Sequence, residues 1–436
     1  MKGYVKIFTY GCQMNDLDSQ KIYSELFERG WRPTNDTRQA DLIILNTCTV
    51  RQKAHEKALS NIGRLRKNKL DKPHLKIVIT GCVAQELGQH LFERMPHIDI
   101  IVGTHQLHRL PELVEDNSCS HPRVETSFTD CIQSMDIVTR SEFLEHSHRA
   151  YINIMQGCNN YCTYCIVPYV RGPEISRPAE RILSEVEYYA KHDVKEIFLL
   201  GQNVNSFSGG MSFAELLQRI HAIDGIERIR FTTSHPKDMS TDLIECYATL
   251  PKLCNHLHLP FQSGADKVLE RMNRGYTKAS YLELIDKLRD ARPDIAFSAD
   301  VIVGFPGETP EEFQETLDLM KSVRFDVLYS FKYSPRPGTK AAGFTDDVSL
   351  TEKKSRLSKL QALQRVITLE NHQACLAKTY TVLVDGKSRR NAQQINGRTT
   401  HNVIVNFTGD AALVGQIVRV SITCANQNSL TGKIVQ

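Results

Sequence analysis

The stretch "MQGCNNYCTYC" contains Cys158, Cys162 and Cys165 in the spacing C-x3-C-x2-C, here called the loop trio. A structural zinc site closes its tetrahedron with four protein ligands, so three thiols either recruit a distant fourth ligand or leave a position open. A zinc loop would need a remote partner such as His192 or Cys254. Three thiolates on an iron–sulfur cube instead leave one iron free to bind a substrate or cofactor. An open position of that kind indicates catalysis.

Three further cysteines, here called the N-terminal trio, each follow a short β-branched stretch. "YVKIFTYGC" leads to Cys12, "ADLIILNTC" to Cys48 and "LKIVITGC" to Cys82, and a helical pattern follows each of them. Alternating strands and helices predict a parallel sheet, and the carboxyl ends of its strands meet at one edge. We therefore expect the three thiols to share one site at that edge. The alternative is that each is an isolated buried cysteine, the common state of a free thiol.

The same pattern defines the first of three predicted domains, a Rossmann-like parallel α/β unit over residues 1–103 with a fourth strand at "IDIIVG". Its helices are expected to extend to Glu28, to about Lys67 and to Arg94. Residues 104–149 are polar, His-rich and irregular. They are expected to form a connection to the next domain.

Residues 150–369 contain six apolar strand patterns separated by helical stretches, which predicts a partial, TIM-type (β/α)6 barrel. The loop trio follows the first of these strands, at the end where barrel enzymes place their active sites. One helix start is well marked, because Thr309 is an N-cap, Pro310 occupies the first turn and Glu312 completes a capping box. Glu308 lies just before it, at the top of the fifth strand.

Residues 370–436 alternate apolar and polar side chains between Gly-rich turns, which predicts a small antiparallel β-barrel of about five strands. From residue 371 onward there are seven Lys or Arg against two Asp. A basic module of this kind is suited to holding a polyanion. The alternative is an ordinary solvated surface.

The composition is that of a globular protein, with 436 residues, 41% apolar and 24% charged side chains and a net charge of +4. No apolar run reaches the roughly 18 to 20 residues that span a bilayer, and the N-terminus has a strand pattern and lacks that of a signal peptide. We expect a cytoplasmic protein with no membrane association. Twelve cysteines without an export signal argue against a disulfide framework and favour thiolate ligation.

The loop trio, with the aromatic Tyr164 just before its last cysteine, resembles the cluster-binding loop of radical S-adenosylmethionine (SAM) enzymes. This resemblance implies that Cys158, Cys162 and Cys165 hold a 4Fe-4S cluster whose remaining iron binds the amino and carboxylate groups of SAM. Reductive cleavage of SAM then supplies a radical that attacks unactivated C–H bonds.

Further motifs extend the resemblance to nearly the whole chain. They are "TYGCQMND", "NTCTVRQKAHEK", "TGCVAQ", "LGQNVNS", "TSHPKDM", "LHLPFQSG" and "GRTTHNVIVNF". In these motifs and in their order the chain is similar to the tRNA methylthiotransferases. That family implies a second 4Fe-4S cluster on Cys12, Cys48 and Cys82, which takes part in sulfur delivery. It also implies that the C-terminal barrel is an OB-like, RNA-binding TRAM domain.

The resemblance also implies a substrate and partners. "TYGCQMN" and "LGQNVNS" are most similar to the branch that converts isopentenylated (dimethylallyl) adenosine beside the anticodon to its 2-methylthio derivative. Related branches act on threonylcarbamoyl adenosine or on an aspartate of a ribosomal protein, and both stay open as alternatives. A non-catalytic, zinc-containing RNA-binding protein is a third. The expected partners are a tRNA anticodon stem-loop and an external electron donor of the flavodoxin or ferredoxin type; the sequence identifies no sulfur donor.

Polar residues at the barrel's strand ends are candidates for contact with SAM. They are Gln202, Asn203, Asn205, Ser234, His258 and Gln262, together with Tyr164 in the cysteine loop. Many radical enzymes carry two glycines and a glutamate after the second strand, where this chain has "LGQN". The alternative for each candidate is a hydrogen bond that orders its own loop.

Other polar segments and the remaining cysteines are expected to have structural or RNA-binding roles. Glu174 and Arg177 are expected to order the loop that follows the loop trio, where an arginine would also be available to RNA phosphate. The basic stretch from Arg51 to Lys76 is expected to be either a solvated helix face or an RNA-binding surface. The remaining cysteines are interpreted as structural or incidental. They are Cys119, Cys131, Cys246, Cys254, Cys375 and Cys424.

Overall fold

The computed structural model describes residues 1–50, 52–116, 122–129, 132–388 and 393–435. Within these ranges the chain forms a parallel α/β sheet, an open α/β barrel and a closed β-barrel, in that order. Three residues named above lie outside the described ranges, namely Arg51, Cys119 and Cys131, as do Arg389 and Arg390, two of the seven C-terminal Lys and Arg counted above. In the ranges that are described, no helix combines the length and the apolar character needed to cross a membrane.

The N-terminal region is a six-stranded parallel sheet with helices on both faces. Its elements are β1 (Gly3–Thr9), α1 (Gln13–Glu28), β2 (Trp31–Pro33), β3 (Leu42–Thr47), α2 (Gln52–Asp71), β4 (Lys76–Gly81), α3 (Cys82–Leu87), α4 (His90–Arg94), β5 (Ile100–Val102), α5 (Leu110–Glu115) and β6 (Arg123–Glu125). The strand order is β2-β1-β3-β4-β5-β6. Every residue of β3 is buried, as expected for a central strand covered on both faces.

This sheet is larger than the pattern of residues 1–103 predicts. β2 and β6 are additional strands, and β6 comes from the segment expected to be a connection. The second helix continues past Lys67 to Asp71. The helix expected to reach Arg94 is divided in two, because Gly88 adopts a positive φ of 45° and ends α3.

The middle region begins after α6 (Gln133–Asp136) and contains the six predicted barrel strands. Its elements are β7 (Arg149–Asn153), β8 (Met155–Gln156), α7 (Val167–Arg171), β9 (Ile175–Ser176), α8 (Ala179–Ala190), β10 (Glu196–Leu200), α9 (Phe213–His221), β11 (Arg228–Phe231), α10 (Thr241–Thr249), β12 (His256–His258), α11 (Asp266–Arg271), α12 (Lys278–Ala291), β13 (Ala296–Val303), α13 (Pro310–Val323), β14 (Val327–Lys332) and α14 (Leu350–Gln373).

The barrel is open and consists of two parallel three-stranded sheets, β11-β10-β7 and β12-β13-β14. A parallel bridge between Ile229 and Leu253 joins them. The main apolar core lies between these strands and the surrounding helices. The predicted capping box of α13 is present, with Thr309 and Glu312 each accepting a hydrogen bond from the other's backbone N–H. Glu308 is buried, and its carboxylate pairs with Arg356 of α14.

The C-terminal region is a closed five-stranded barrel. Its strands are β15 (Thr379–Lys387), β16 (Gln394–Thr399), β17 (Ile404–Thr408), β18 (Ile417–Ala425) and β19 (Leu430–Ile434). The order around the barrel is β15-β16-β17-β19-β18. Four of the pairings are antiparallel, as predicted, and the fifth, β17 with β19, is parallel. This closing pair is the one departure from the predicted antiparallel barrel.

Short 3-10 helices complete the described secondary structure. They lie at Leu107–Arg109, Ser141–Phe143, Val204–Ser206, Pro236–Asp238, Lys340–Gly343 and Ala411–Leu413.

The C-terminal barrel is docked on the amino-terminal ends of the middle region's strands through buried arginines of β11. Arg228 donates hydrogen bonds to the carbonyl oxygens of Arg398 (2.7 Å) and Thr381 (3.0 Å). Arg230 donates to the carbonyl oxygen of Thr399 (2.6 Å). Both arginines are almost fully buried. Backbone carbonyls bonded in this way hold the small barrel in one orientation.

An ion network reinforces this joint. Arg149 contacts Glu196 at 2.5 Å and Asp385 of the C-terminal barrel at 3.0 Å, and Glu196 also accepts from Arg230 at 2.8 Å. Burial alone would raise the pKa of Glu196, but the charges of Arg230 and Arg149 outweigh it and lower that pKa to about 2. The side chain of Arg398 faces Asp385 (3.7 Å). The charge of Arg398 therefore contributes to the ion network between the two barrels.

The N-terminal region is packed against the inner face of the open barrel. Met14 and Leu17 of α1 form an apolar cluster with Tyr151 of β7 and with Phe198 and Leu200 of β10. This cluster covers the inner face on the β7 and β10 side.

A buried lysine of α1 adds polar contacts between these regions. Lys21 donates to the carbonyl of Met135 and to the side-chain oxygen of Asn153, both at 2.8 Å. Burial lowers the pKa of Lys21 to about 8. The α1 helix is thereby tied to β7, the strand that leads to the loop trio.

Candidate active site

Cys12, Cys48 and Cys82 all lie at the carboxyl edge of the sheet, while a shared site for the three thiols stays a prediction. Cys12 follows β1, Cys48 follows β3 and Cys82 is the first residue of α3, directly after β4. The thiols of Cys12 and Cys48 are hydrogen-bonded to each other. Gly11 has a φ of +125°, and a Cβ on it would clash with the Cys48 side chain. Glycine is therefore required here for the two cysteines to approach.

The pKa values of the N-terminal trio depend on hydrogen bonding, burial and the nearby charge of Arg171. The hydrogen bond with Cys48, opposed by burial and assisted by the Arg171 charge, lowers the pKa of Cys12 to about 6. Burial raises the pKa of Cys82, and Arg171, which is hydrogen-bonded to this thiol, opposes that rise. Arg171 also pairs with Asp18 at 3.2 Å. A buried cation beside Cys12 and Cys82 favours their thiolate form, the form that binds metal.

The loop trio lies after β8 in a tightly held loop. The N–H of Gly157 donates to Oε1 of Gln202 at 2.6 Å. Gly157 has a φ of +83°, and a Cβ there would clash with the Pro173 backbone. Burial raises the pKa of Cys158 and raises that of Cys165 to about 12. A thiol in this setting needs a positive partner before it ionises.

A second segment clamps this loop from the other side of the barrel. Thr163 donates its backbone N–H to the carbonyl of Met272 (3.0 Å) and its hydroxyl to the carbonyl of Arg271 (2.8 Å). The side chain of Asn273 donates to the carbonyl of Tyr161 (3.2 Å). The segment after α11 therefore fixes the middle of the loop trio.

The segment Arg271–Arg274, here called the clamp, places Arg274 beside the loop trio. Its guanidinium donates to the sulfur of Cys162 at 3.3 Å and to the carbonyl of Pro260 at 3.0 Å, and it lies against the ring of Tyr276. Arg274 is 5% exposed, and no Asp or Glu in the described part of the chain forms an ion pair with it. A buried cation is stable only with an anionic partner. A thiolate at Cys162, whose sulfur lies 3.3 Å from the guanidinium, would supply that partner.

The two trios are joined by the short helix α7. Cys82 packs against Ile166 and Val170, and Ile166 directly follows Cys165 of the loop trio. Arg171, the last residue of α7, is the residue that contacts the Cys82 thiol. Among the described residues no three His, Cys, Asp or Glu side chains converge on a single-ion site. Each trio is thus a group of neighbouring thiols with one buried arginine beside it.

Several predicted SAM-contact residues lie together at the ends of β10 and β11. Asn203 donates to Asp238 at 2.7 Å, while its side-chain oxygen is buried without a partner in the described structure. The hydroxyl of Ser234 is likewise buried and unpartnered there. Asn205 instead forms two hydrogen bonds with the backbone of His235 and orders the loop. The proposed contact of Asn205 with the cofactor stays a prediction.

The other candidates line the β12 and β13 side. Nδ1 of His258 is 2.9 Å from the Ser298 hydroxyl, and its Nε2 is 3.4 Å from Asp300. Gln262 has a φ of +63° and is bonded to β13 through its backbone. Tyr164 is half-buried, and removal of its phenol from water raises the pKa of that group. His258 ends β12 and Gln262 follows it closely, so both lie at the carboxyl end of the strands, and their contact with the cofactor stays a prediction.

Three sequence-based expectations differ from the structure. Arg177 is fully buried between Asp136 (2.8 Å) and Glu185, so it is not available to RNA phosphate. His192 packs on Tyr188 at the end of α8, away from the loop trio. Cys254, the other candidate for a fourth zinc ligand, is buried beside Arg230.

Two residues of the site were missed from the sequence. Arg274 lies 112 positions from Cys162 in the chain, so no local pattern connects them. His235 is buried, with its Nε2 unpartnered in the described structure, and burial together with the charge of Arg274 lowers its pKa to about 2. Its position in "TSHP" at the end of the third barrel strand was the available signal, because Ser234 beside it was recognised for that reason.

Comparison with known protein families divides the chain as the fold does. Residues 4–103 match the family described as Uncharacterized protein family UPF0004, residues 152–320 match the Radical SAM superfamily, and residues 373–435 match the TRAM domain. The first match ends before β6, the strand that the following segment adds to the sheet.

Two solved structures illustrate the similarity in fold. The radical S-adenosylmethionine methyltransferase TsrM from Kitasatospora setae superposes with a TM-score of 0.59 at 16% identity, covering 89% of this chain and 79% of that one. The cobalamin-dependent S-adenosylmethionine radical enzyme OxsB gives a TM-score of 0.54 at 14% identity over 84% of this chain and 56% of that one. At these identities the similarity concerns the fold.

Curated relatives are similar along the full length. The tRNA-2-methylthio-N(6)-dimethylallyladenosine synthase of Geotalea uraniireducens is 51% identical over 98% of this chain and 97% of its own length. The protein of the same name from Geobacter sulfurreducens is 49% identical over 99% of this chain and 97% of its own. With its two cysteine trios and its TRAM barrel, this chain belongs to the tRNA-2-methylthio-N(6)-dimethylallyladenosine synthase family of radical SAM enzymes.

Proposed function

We infer that the protein converts dimethylallyladenosine beside the anticodon of tRNA to its 2-methylthio derivative. The observation that carries this conclusion is that about half of all residues are identical, over nearly the full length, to synthases of that name. The reaction replaces an adenine C2–H, which is neither acidic nor electrophilic, so side-chain acid–base or nucleophilic catalysis cannot perform it. The enzyme uses SAM and 4Fe-4S clusters. One SAM molecule, bound to a reduced cluster, would supply the radical, and a second SAM molecule would supply the methyl group.

We propose that the loop trio holds the cluster that binds SAM and that the N-terminal trio holds the second cluster. Three thiols without a fourth protein ligand suit a cube with one open iron. Each trio also has one buried arginine, Arg274 or Arg171, which offsets the negative charge of ligated thiolates. The contacts of α7 with Cys82 keep the two sites adjacent.

The chain's own residues orient the cofactor and the loops. Gln202 holds the start of the loop trio through Gly157, and the segment Arg271–Arg274 holds its middle. The unpartnered polar atoms of Asn203, Ser234 and His235 point to SAM, because buried polar groups require hydrogen-bond partners. We assign the cofactor contacts to these residues first and to His258 and Gln262 second.

The tRNA partner follows from the family and from the TRAM domain. We propose that the tRNA spans the open barrel, with its stem held by the C-terminal barrel and its anticodon loop reaching the cysteine loops, because the C-terminal barrel is docked at the opposite end of the strands from the loop trio. An external donor of the flavodoxin or ferredoxin type is proposed as the source of electrons. A cytoplasmic location stays a prediction from the sequence.

The substrate assignment is tested with purified, anaerobically reconstituted enzyme, SAM and a reductant. Transcribed tRNA that carries dimethylallyladenosine should gain the mass of a methylthio group in its digested nucleosides, whereas matched tRNA without the dimethylallyl group should be modified poorly. Modification of threonylcarbamoyl adenosine or of a ribosomal protein, with the dimethylallyl tRNA unchanged, would assign the chain to another branch.

The ligand assignment is tested through iron content. Reconstituted protein should hold about eight irons per chain, four per cluster. Changing Cys158, Cys162 and Cys165 to Ala should remove half of the iron and all SAM cleavage. Changing Cys12, Cys48 and Cys82 to Ala should also halve the iron, while SAM cleavage continues and sulfur insertion stops. Full iron content in either triple variant contradicts the assignment.

A further inference from the structure

Two large aromatic side chains are exposed on the last strand of the open barrel. Tyr329 is 47% exposed and Phe331 is 41% exposed, although both belong to β14, a regular strand of the sheet. We call these two residues the edge aromatics. Their exposure needs an explanation, because large apolar surfaces that stay uncovered commonly mark binding sites.

The edge aromatics face the inside of the barrel. Tyr329 is paired in register with Asp300 and Phe331 with Ile302, and the ring of Tyr329 meets that of His258 edge-on at 5.9 Å. The alternate residues point the other way, because Ser330 accepts a hydrogen bond from Gln361 of the outer helix α14. The period of two along a strand places Tyr329 and Phe331 on one face.

The strand that carries the edge aromatics leads towards the loops of both cysteine trios. Ile302, the register partner of Phe331, packs against the same apolar cluster as Tyr164 of the loop trio. Directly after β14, Ser334 donates to Gln52 at 2.7 Å, and Gln52 begins the helix that follows Cys48. The strand therefore extends from the middle of the barrel to the loops that carry both sets of thiols.

The residues around the edge aromatics indicate the kind of ligand that they bind. On the opposite side of the barrel, Met14 and Leu17 cover the aromatic residues Tyr151 and Phe198, so that inner face is closed. Beside the edge aromatics it is open, and the paired His258 and Asp300 offer polar atoms there. Exposed ring faces with polar atoms beside them suit a single base turned out of an RNA loop.

We propose that Tyr329 and Phe331 bind the dimethylallylated adenine of the substrate and are specificity determinants of the enzyme. Aromatic side chains stack on the faces of unpaired bases. The same apolar surface is suited to the five-carbon dimethylallyl group, whose burial removes apolar area from water. This inference rests on the proposed function and adds the residues that recognise the modified base.

The test compares the affinities of anticodon stem-loop RNA with and without the dimethylallyl group. Reconstituted wild-type protein should bind the dimethylallyl RNA more tightly. The double variant Tyr329→Ala, Phe331→Ala should lose about 5- to 150-fold in affinity for that RNA, the range expected for one lost base–aromatic stack. Its affinity for the unmodified RNA should change less, so the ratio of the two dissociation constants should fall towards one.

Matched variants separate this role from a structural one. Ser330→Ala changes the same strand on its opposite face and should keep the wild-type ratio. Tyr329→Phe and Phe331→Tyr retain the ring faces and should also keep it. A wild-type ratio in the double alanine variant, with iron content intact, overturns the inference and leaves the proposed function standing. Failure of wild-type enzyme to methylthiolate the dimethylallyl RNA overturns the proposed function itself.

Discussion

The guanidinium of Arg274 lies 3.3 Å from the sulfur of Cys162, and in the described part of the chain no carboxylate is paired with it. Hydrogen bonds and positive charge at a cluster's sulfur ligands favour the reduced, more negative form. We therefore expect Arg274→Gln to lower the reduction potential of the cluster on the loop trio. A charge-assisted hydrogen bond of about 1.5 to 3 kcal/mol corresponds to about 60 to 130 mV for one electron.

The potential is measured by a redox titration followed by electron paramagnetic resonance, with the N-terminal trio changed to Ala so that one cluster contributes. Arg274→Lys retains the charge and should give a smaller shift. An unchanged potential in Arg274→Gln with full cluster content would show that the arginine is needed only to pack the loop.

The start of α13 connects a local sequence signal to the active-site loop. Thr309 accepts from the backbone N–H of Glu312, and the Glu312 carboxylate also pairs with Arg271 of the clamp at 2.9 Å. Loss of an N-cap hydroxyl costs about 1 kcal/mol. Thr309→Ala should therefore lower the midpoint of thermal unfolding by about 2 to 4 °C. Thr309→Ser keeps the hydroxyl and should match the wild type, and an equal loss in Thr309→Ser would contradict the capping role.

Features with local causes were predictable from the sequence. The capping box, the six barrel strands and the N-terminal trio each follow from short patterns. β2 (WRP) and β6 (RVE) were not found because each has one apolar residue beside charged residues or a proline, whereas the equally short β5 (IIV) is wholly apolar. The contact of Arg274 with Cys162 joins segments 112 residues apart, and only the closure of the barrel brings them together.

Counts of charged residues along the chain were the least reliable basis for predicting which residues bind RNA. Arg398 was part of the basic excess assigned to RNA binding, yet its side chain faces Asp385 in the joint. Arg177 is likewise enclosed by two acids. Net charge does not distinguish a cation in a buried pair from one on the surface, although the two have opposite consequences for binding a polyanion.

The joint between the two barrels depends on the charge of Glu196. The folded-state pKa of about 2 is below the ordinary value of 4.5, so this carboxylate stabilises the fold fully above pH 4.5 and progressively less as the pH falls towards 2. Glu196→Gln leaves Arg149 and Arg230 without a buried anion and should cost about 3 kcal/mol at neutral pH.

Thermal unfolding of wild type and Glu196→Gln, followed from pH 7 to pH 3, tests this. The difference between their midpoints should be constant above pH 4.5 and should shrink below it, because the wild-type carboxylate then takes up its proton. Glu227, which is exposed, provides a control, and Glu227→Gln should show no comparable effect. A midpoint difference that does not change with pH would exclude Glu196 as the titrating group.

The buried bonds of Arg228 and Arg230 to backbone carbonyls of the C-terminal barrel have a consequence for how the target nucleotide is chosen. A domain held on a flexible tether would let bound RNA slide, and several positions in a loop would reach the cysteines in turn. In the proposed binding mode, the C-terminal barrel that holds the RNA and the reacting centre are separated by a fixed length of rigid protein. We therefore expect the modified nucleotide to be the one whose distance from the bound stem equals that length.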